Sequence, residues 1–264
     1  MNAMTQQERR LWLIDALLAE DPRYRQIAVP QDPQEQKRLL RSLMNLRLPA
    51  PLTAEFLAVQ DAYLAQETQA RGVVQVDELC EVEPQIYLWQ GDICRLAADG
   101  IVNAANNQLL GCFHPCHGCI DNAIHSAAGL ELRQACADLM AAQGHPEPTG
   151  QAKITPAFNL PSRYVLHTVG PIVQGPLTPR HKAQLASCYE SCLSLAEKYS
   201  LKSLAFCCIS CGEYGFPADK AAAIATETVR TYLRTASSPL KVIFNVFTNQ
   251  DLALYQERLG QLHP

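Results

Sequence analysis

Hydrophobic positions along this 264-residue chain change their period once, near residue 73. Upstream they recur every three or four residues. Thr5 with Glu8 forms a capping box ahead of Leu11, Ile14, Leu17 and Leu18, which fall on one helical face. Asp32, Pro33 and Glu35 mark a second helix start before Leu39, Leu40 and Leu43, and Pro49 and Pro51 end that stripe. Thr53 opens a third helix bearing Phe56, Leu57, Tyr63 and Leu64, expected to end near Gly72. No strand and no cluster suggestive of chemistry is expected over residues 1–72. That stretch reads as a helical extension packed on a larger unit, or as a lid or partner-docking element.

Downstream, short β-rich runs alternate with helical segments. Strands are expected over 86–89, 100–103, 152–154, 164–168, 204–208 and 242–247. Helices are expected over 120–128, 130–142, 179–198, 218–234 and 251–259, with Gly129 splitting the first two. Strands alternating with helices imply a mostly parallel sheet covered on both faces. Ligands of such sheets bind at the carboxyl ends of the strands. Three loops of unusual composition, 91–95, 103–119 and 210–217, all follow strands, so one shared pocket is expected.

Composition narrows the class. The formal net charge of −4 gives no support for a nucleic-acid partner. The opening residues hold no long apolar core followed by a small-residue cleavage site, and no apolar run approaches the roughly 20 residues of a membrane span. A cytoplasmic protein with no membrane partner is expected. Eleven cysteines is a high, odd count, and in a reducing compartment metal binding explains it better than disulfides. Cys136, Cys188, Cys192, Cys207 and Cys208 sit in apolar patterns and read as buried thiols.

The densest chemistry lies between Asn103 and Gly129. Cys112, His114, Cys116, His117 and Cys119 fall within eight positions, with glycines and a proline that suit a loop. Three ligands from such a loop leave one coordination position open, the arrangement of a catalytic zinc. Cys112, His117 and Cys119 form one such set, His114 and Cys116 are rivals for the same roles, and redox or inert cysteines are the alternative to a metal. Asp121 has two readings, a helix N-cap or a carboxylate beside the metal, and His125 one turn on reads as a satisfied core histidine. The glycine-bearing loop from Ser210 to Pro217 stands between a strand and a helix, as a phosphate cradle or an ordinary turn would. Tyr214 and Phe216 offer faces for a sugar or base. Asp92 is either a turn residue or an acceptor for an adenine amino group.

Together GDI at 91–93, IVNAAN at 101–106, LLGC at 109–112, PCHGCIDNAIH at 115–125 and ISCGEYGFP at 209–217 resemble the macrodomain family, most closely its zinc-containing branch of protein-ADP-ribose hydrolases. The resemblance covers most of 73–264, and residues 1–72 look like that branch's N-terminal extension. It implies an α/β fold, a three-layer α/β/α sandwich around a mixed sheet, with ADP-ribose as ligand. Asp92 would meet the adenine, with the Ile93 backbone beside it. Asn103 and Asn106 would lie near the distal ribose with Cys119, Ile120 and Asp121. Ser210, Cys211, Gly212, Glu213 and Tyr214 would wrap the diphosphate, with Tyr214 or Phe216 flanking the ribose. Cys211 departs from the threonine common there. Cys112, His117 and Cys119 would hold Zn2+, and Asp121 with Asn106 would be catalytic. The implied reaction is zinc-dependent removal of mono-ADP-ribose from a modified protein, at an acidic side chain. A reader module without turnover, an O-acetyl-ADP-ribose deacetylase and a structural zinc domain are the competing expectations.

Overall fold

A computed structural model describes residues 4–24, 26–236 and 239–260. The first three and last four positions of the expected units, 1–72 and 73–264, lie outside the described residues. Three helices come first: α1 (Gln6–Glu20), α2 (Pro33–Leu46) and α3 (Ala54–Arg71). Each begins where a side chain satisfies otherwise orphaned N–H groups. Thr5 and Glu8 form the capping box, Asp32 accepts from the Gln34 and Glu35 N–H groups, and Thr53 accepts from Phe56. The buried stripe of α1 centres on Leu13, Ile14 and Leu17, one step round the helix from the expected face, because Leu11 and Leu18 lie at its margins.

The remaining elements in chain order are β1 (Val74–Gln75), β2 (Glu81–Glu83), β3 (Ile86–Gln90), β4 (Leu96–Ala97), β5 (Gly100–Ala104), α4 (Ile120–Ala128), α5 (Leu130–Gln143), β6 (Ala152–Pro156), β7 (Tyr164–Thr168), α6 (Pro179–Lys198), β8 (Ser203–Phe206), α7 (Ala218–Thr235), β9 (Lys241–Val246) and α8 (Asn249–Leu259). Seven strands form one sheet in the order β2-β3-β9-β8-β5-β7-β6. The interior pairs are parallel and the two edge pairs, β2 with β3 and β6 with β7, are antiparallel. β1 and β4 make a separate parallel pair. The expected strands are present. β1, β2 and β4 were not foreseen, since runs of two or three residues carry no usable period.

Both sheet faces are covered. Neighbouring residues on a strand point to opposite sides. On β7, His167 meets Cys136 of α5, while Thr168 on the other side meets Cys188 of α6. The main core gathers Ile101, Val102, Val165, Leu166, Leu204, Phe206, Val242 and Phe244 around the sheet. A second core of Leu13, Ile14, Leu17, Leu40, Leu43, Met44, Phe56, Tyr63 and Leu64 lies within α1–α3 and includes Leu130 of α5. The buried Gln60 side chain of α3 accepts from the Leu130 N–H at 2.9 Å. It lies so close to Gly129 (φ +97°) that a Cβ there would stand 2.7 Å from its Nε2. Only glycine permits both that backbone angle and that approach, so the α4–α5 corner is shaped to receive the N-terminal helices.

All eleven cysteines are free thiols. Cys136, Cys188, Cys192 and Cys207 are buried, as their apolar setting predicts; Cys208 is only partly covered.

Candidate functional site

The site is built at the carboxyl end of β5. Asn103 sits on the strand, fully buried, and the chain then runs through a long loop to α4. The helix N-cap is Cys119, whose Sγ accepts from the Asn122 N–H at 3.4 Å. Asp121 is therefore inside the first turn and is not the cap. Its side chain turns inward at 5% exposure. Asn103 Nδ2 donates to Asp121 Oδ1 at 2.8 Å, and Asn106 Nδ2 donates to Asp121 Oδ2 at 3.3 Å. Asn106 is itself fixed: its Oδ1 accepts from the Gln108 N–H, and its Nδ2 also reaches the Gly111 carbonyl. Burial pushes the Asp121 carboxyl up to about 6, against the Asn103 hydrogen bond and the Arg133 charge.

His125 lies behind Asp121 in the core, as its apolar setting predicts, but it is not satisfied. Its Nε2 lies 3.5 Å from Asp121 Oδ1 without making a hydrogen bond, and neither ring nitrogen has a hydrogen-bond partner among the described residues. Burial drives its pKa well down, so the ring is neutral. His167, held down to about 3 by burial, pairs Nδ1 with Asn103 and Nε2 with Thr155 Oγ1 at 3.0 Å. His125, Cys136 and His167 also converge within 4.8 Å, but they are sealed in the core and both His167 nitrogens are engaged.

In front of Asp121 lies the loop of residues 112–119. The ligand atoms of Cys112, His117 and Cys119 all lie within 4.8 Å of one another, and Cys112 Sγ is 3.7 Å from His117 Nδ1. Ligands of a tetrahedral zinc at ordinary bond lengths stand about 3.5–3.8 Å apart. The other imidazole nitrogen, Nε2, faces the Glu213 carboxylate at 3.5 Å. A metal-ligating histidine habitually gives its second N–H to such a group. Burial, with Cys112 and Asp121 acting the same way, raises the Cys119 thiol to about 11, against the Asn122 N–H. A cation reverses that preference by favouring the thiolate. The residues present therefore fit a borderline-soft divalent ion. His114 and Cys116, the rival candidates, fall outside the converging group.

The third loop meets the second through Glu213. Ser210 (φ +65°) and Gly215 (φ +65°) bend it, and Phe216 N–H closes it on the Ser210 carbonyl at 3.0 Å. Among the described residues the N–H groups of Gly212, Glu213 and Tyr214 have no protein acceptor, and Ser210 Oγ is buried without a partner. α7 follows directly, with no side-chain cap. Free N–H groups ahead of an uncapped helix start form an anion cradle. Tyr214 is half-buried, its phenol raised by burial and by the Asp121 charge. Phe216 is 2% exposed in the sheet core, so of the two aromatics only Tyr214 presents a face to the cleft.

Asp92 caps the short turn Ile93–Arg95 through the Cys94 N–H, and its second oxygen faces Arg71 of α3 at 3.4 Å. The Ile93 side chain is core, leaving its backbone at this end of the cleft. Two features were not anticipated. β9 stops at Val246, so Phe247 stands outside the strand at 74% exposure, beside Gly91 whose N–H reaches the Val246 carbonyl. At the other end Arg133 of α5 is buried, stacks on Phe113 at 4.5 Å and donates to the Leu110 and Met44 carbonyls; an arginine among Leu130, Leu132, Ala135 and Cys136 carries no distinctive signal.

The macro domain family model matches residues 102–225. A protein-ADP-ribose hydrolase of Treponema medium is 52% identical over 261 residues, covering 97% of this chain and 100% of the relative. A protein-ADP-ribose hydrolase of Staphylococcus aureus (strain MSSA476) is 45% identical over 240 residues, covering 89% of each. Among solved structures, a Trypanosoma brucei macrodomain in complex with ADP-ribose aligns with a TM-score of 0.66 at 30% identity, over 88% of this chain and 97% of that one. No helix among the described residues is long and apolar enough to cross a membrane.

Proposed function

This chain belongs to the macro domain family, and we propose that it is a zinc-dependent hydrolase that removes mono-ADP-ribose from acidic side chains of modified proteins. Relatives named protein-ADP-ribose hydrolase support the hydrolase class, and the T. brucei complex supports ADP-ribose as the ligand. The reading rests on one observation: a buried carboxylate held by two asparagines lies immediately behind a Cys–His–Cys group that fits zinc.

The chain's own residues then divide the work. Asp92 and the exposed Phe247 ring receive the adenine. The free N–H groups of Gly212, Glu213 and Tyr214, with Ser210 Oγ, bind the diphosphate. Tyr214 covers the distal ribose and Asn106 orients it. Cys112, His117 and Cys119 would hold zinc, which when bound supplies Lewis acidity at its open fourth position. Asn103 and Asn106 aim the Asp121 oxygens, and Asp121 is the proton acceptor. In the hydrolysis a water oxygen bonds to ribose C1″ and the C1″–O bond to the side chain breaks. The bonding pair leaves with the released carboxylate, and the water proton passes to Asp121.

Metal content measured together with ADP-ribose release from a mono-ADP-ribosylated protein tests this. The expected result is stoichiometric zinc and release by the wild type, and loss of both in Cys119→Ala. Full turnover by a metal-free Cys119→Ala protein would exclude zinc dependence. Binding of ADP-ribose without any release would make the chain a reader module, and release confined to O-acetyl-ADP-ribose would make it a deacetylase.

A further inference from the structure

One edge of α2 faces the metal loop instead of the hydrophobic core. Leu40, Leu43 and Met44 fill the N-terminal core, while Arg38, Arg41, Ser42 and Asn45, at helical spacing, line up against residues 112–122. Asn45 is 1% exposed and uses both halves of its amide. Its Oδ1 accepts from the Cys116 N–H at 2.9 Å, and its Nδ2 donates to Ser126 Oγ at 2.9 Å. Cys116 occupies the left-handed region at φ +52°, a conformation that a non-glycine residue keeps only where its surroundings hold it. Ser42 Oγ and the Arg38 carbonyl meet its thiol at 3.3 and 3.4 Å.

Arg41 completes the brace. Its Nη2 donates to the His117 carbonyl at 3.0 Å, and its Nε and Nη2 both reach Asn122 Oδ1. Asn122 is fully buried and passes the hold onward. Its Nδ2 donates to the Cys112 and His114 carbonyls, and its backbone N–H donates to Cys119 Sγ. All three members of the converging group are thus tied, directly or through Asn122, to one side of α2.

Resting on the zinc reading above, we propose that Arg41 and Asn45 are positioning residues for the metal loop, so that cation affinity is set in part by the N-terminal helices. Neither residue belongs to the converging Cys112, His117 and Cys119 group. They hold the ligand carbonyls and the Cys116 turn in place, so the loop is assembled before the cation arrives. Outer partners of metal ligands typically change affinity by roughly 10–100-fold.

The test is zinc affinity by chelator competition on the full chain, with the visible spectrum of the Co2+-loaded protein as a second readout. Wild type, Arg41→Ala, Asn45→Ala and the milder Arg41→Lys are compared after circular dichroism verifies folding. Lysine keeps the charge but cannot span the His117 carbonyl and Asn122 as a fork. The expected result is roughly tenfold or greater loss of affinity in the alanine variants, with a shifted Co2+ ligand-field band and a partial loss in Arg41→Lys. Arg9→Ala, a partly buried α1 residue that bonds Gln6 and Gln66 and does not reach the loop, is expected to match the wild type in both readouts. Wild-type affinity and spectrum in every folded variant would overturn the proposal while leaving the zinc site standing. A wild type that takes up neither ion would overturn both.

Discussion

The two ends of the cleft are built on different terms. At the Asp121 end the side chains are buried or half-buried and bonded to one another: Asn103 and Asn106 hold the carboxylate, Asn122 holds the loop carbonyls, and α2 holds Asn122. At the Asp92 end the carboxylate is about one-third exposed, its partner Arg71 more so, and Phe247 stands almost free in solvent. Bond-breaking demands groups fixed before the substrate arrives, because misplacement by an ångström is costly. Holding a base and sugar demands only surface and a few polar contacts. Substitutions at the first end should therefore lower turnover, and those at the second should lower affinity.

Asp121→Asn should produce the largest change. The amide keeps the shape but cannot take a proton, so turnover should fall by roughly 10²- to 10⁴-fold while zinc content and ADP-ribose affinity stay near wild type. Single-turnover release assays alongside calorimetry separate the two quantities. A variant that loses affinity but keeps its rate would erase the distinction between the ends. Phe247→Ala and Asp92→Ala should behave in the opposite way, each weakening ADP-ribose binding by about 1–3 kcal/mol with kcat at saturation unchanged.

How much of this was readable in the chain follows the same division. The strand–loop–helix order placed Asn103, Asp121 and the Cys/His run together because each is local to one βα unit, with the motif and the geometry within about twenty residues of each other. Of the two readings open for Asp121 the cap fails: Asp is a common N-cap, but the cap here is Cys119, two residues earlier, which frees Asp121 to face inward. The last strand, expected over 242–247, ends at Val246, and that one-residue shift leaves the Phe247 ring outside it and exposed. The contacts of α2 with the 112–122 segment could not be read at all. Arg41 and Asn122 are separated by 81 positions, and their pairing depends on how the helical extension docks on the α4–α5 corner.

Glu213 lies where the 210–217 loop meets the 112–119 loop, so it probes the boundary between the two ends. It faces His117 Nε2 at 3.5 Å, yet its side chain is 71% exposed. Glu213→Gln should weaken zinc binding only a few-fold, below the roughly 10–100-fold typical of enclosed outer partners, because water can replace an exposed acceptor. Chelator competition measures it. A loss as large as that of a direct ligand would mean that Glu213 closes over the site when the cleft is filled.

The smallest expected effect belongs to Arg71→Ala. Arg71 is the point where α3 touches the open end, pairing with Asp92 across 3.4 Å with both side chains at least one-third exposed. Exposed pairs of this kind contribute about 0–1 kcal/mol and are screened by salt. The Cys94 N–H already orients the carboxylate through its other oxygen. Removing the arginine should shift ADP-ribose affinity by no more than about fivefold at low ionic strength, and the shift should vanish near 1 M salt, where the Debye length shrinks to about 3 Å. Calorimetry at two salt concentrations reads it. A tenfold change that persists in salt would mean that the N-terminal helices govern the adenine end as firmly as the metal loop, and the contrast between an assembled end and an open one would fail.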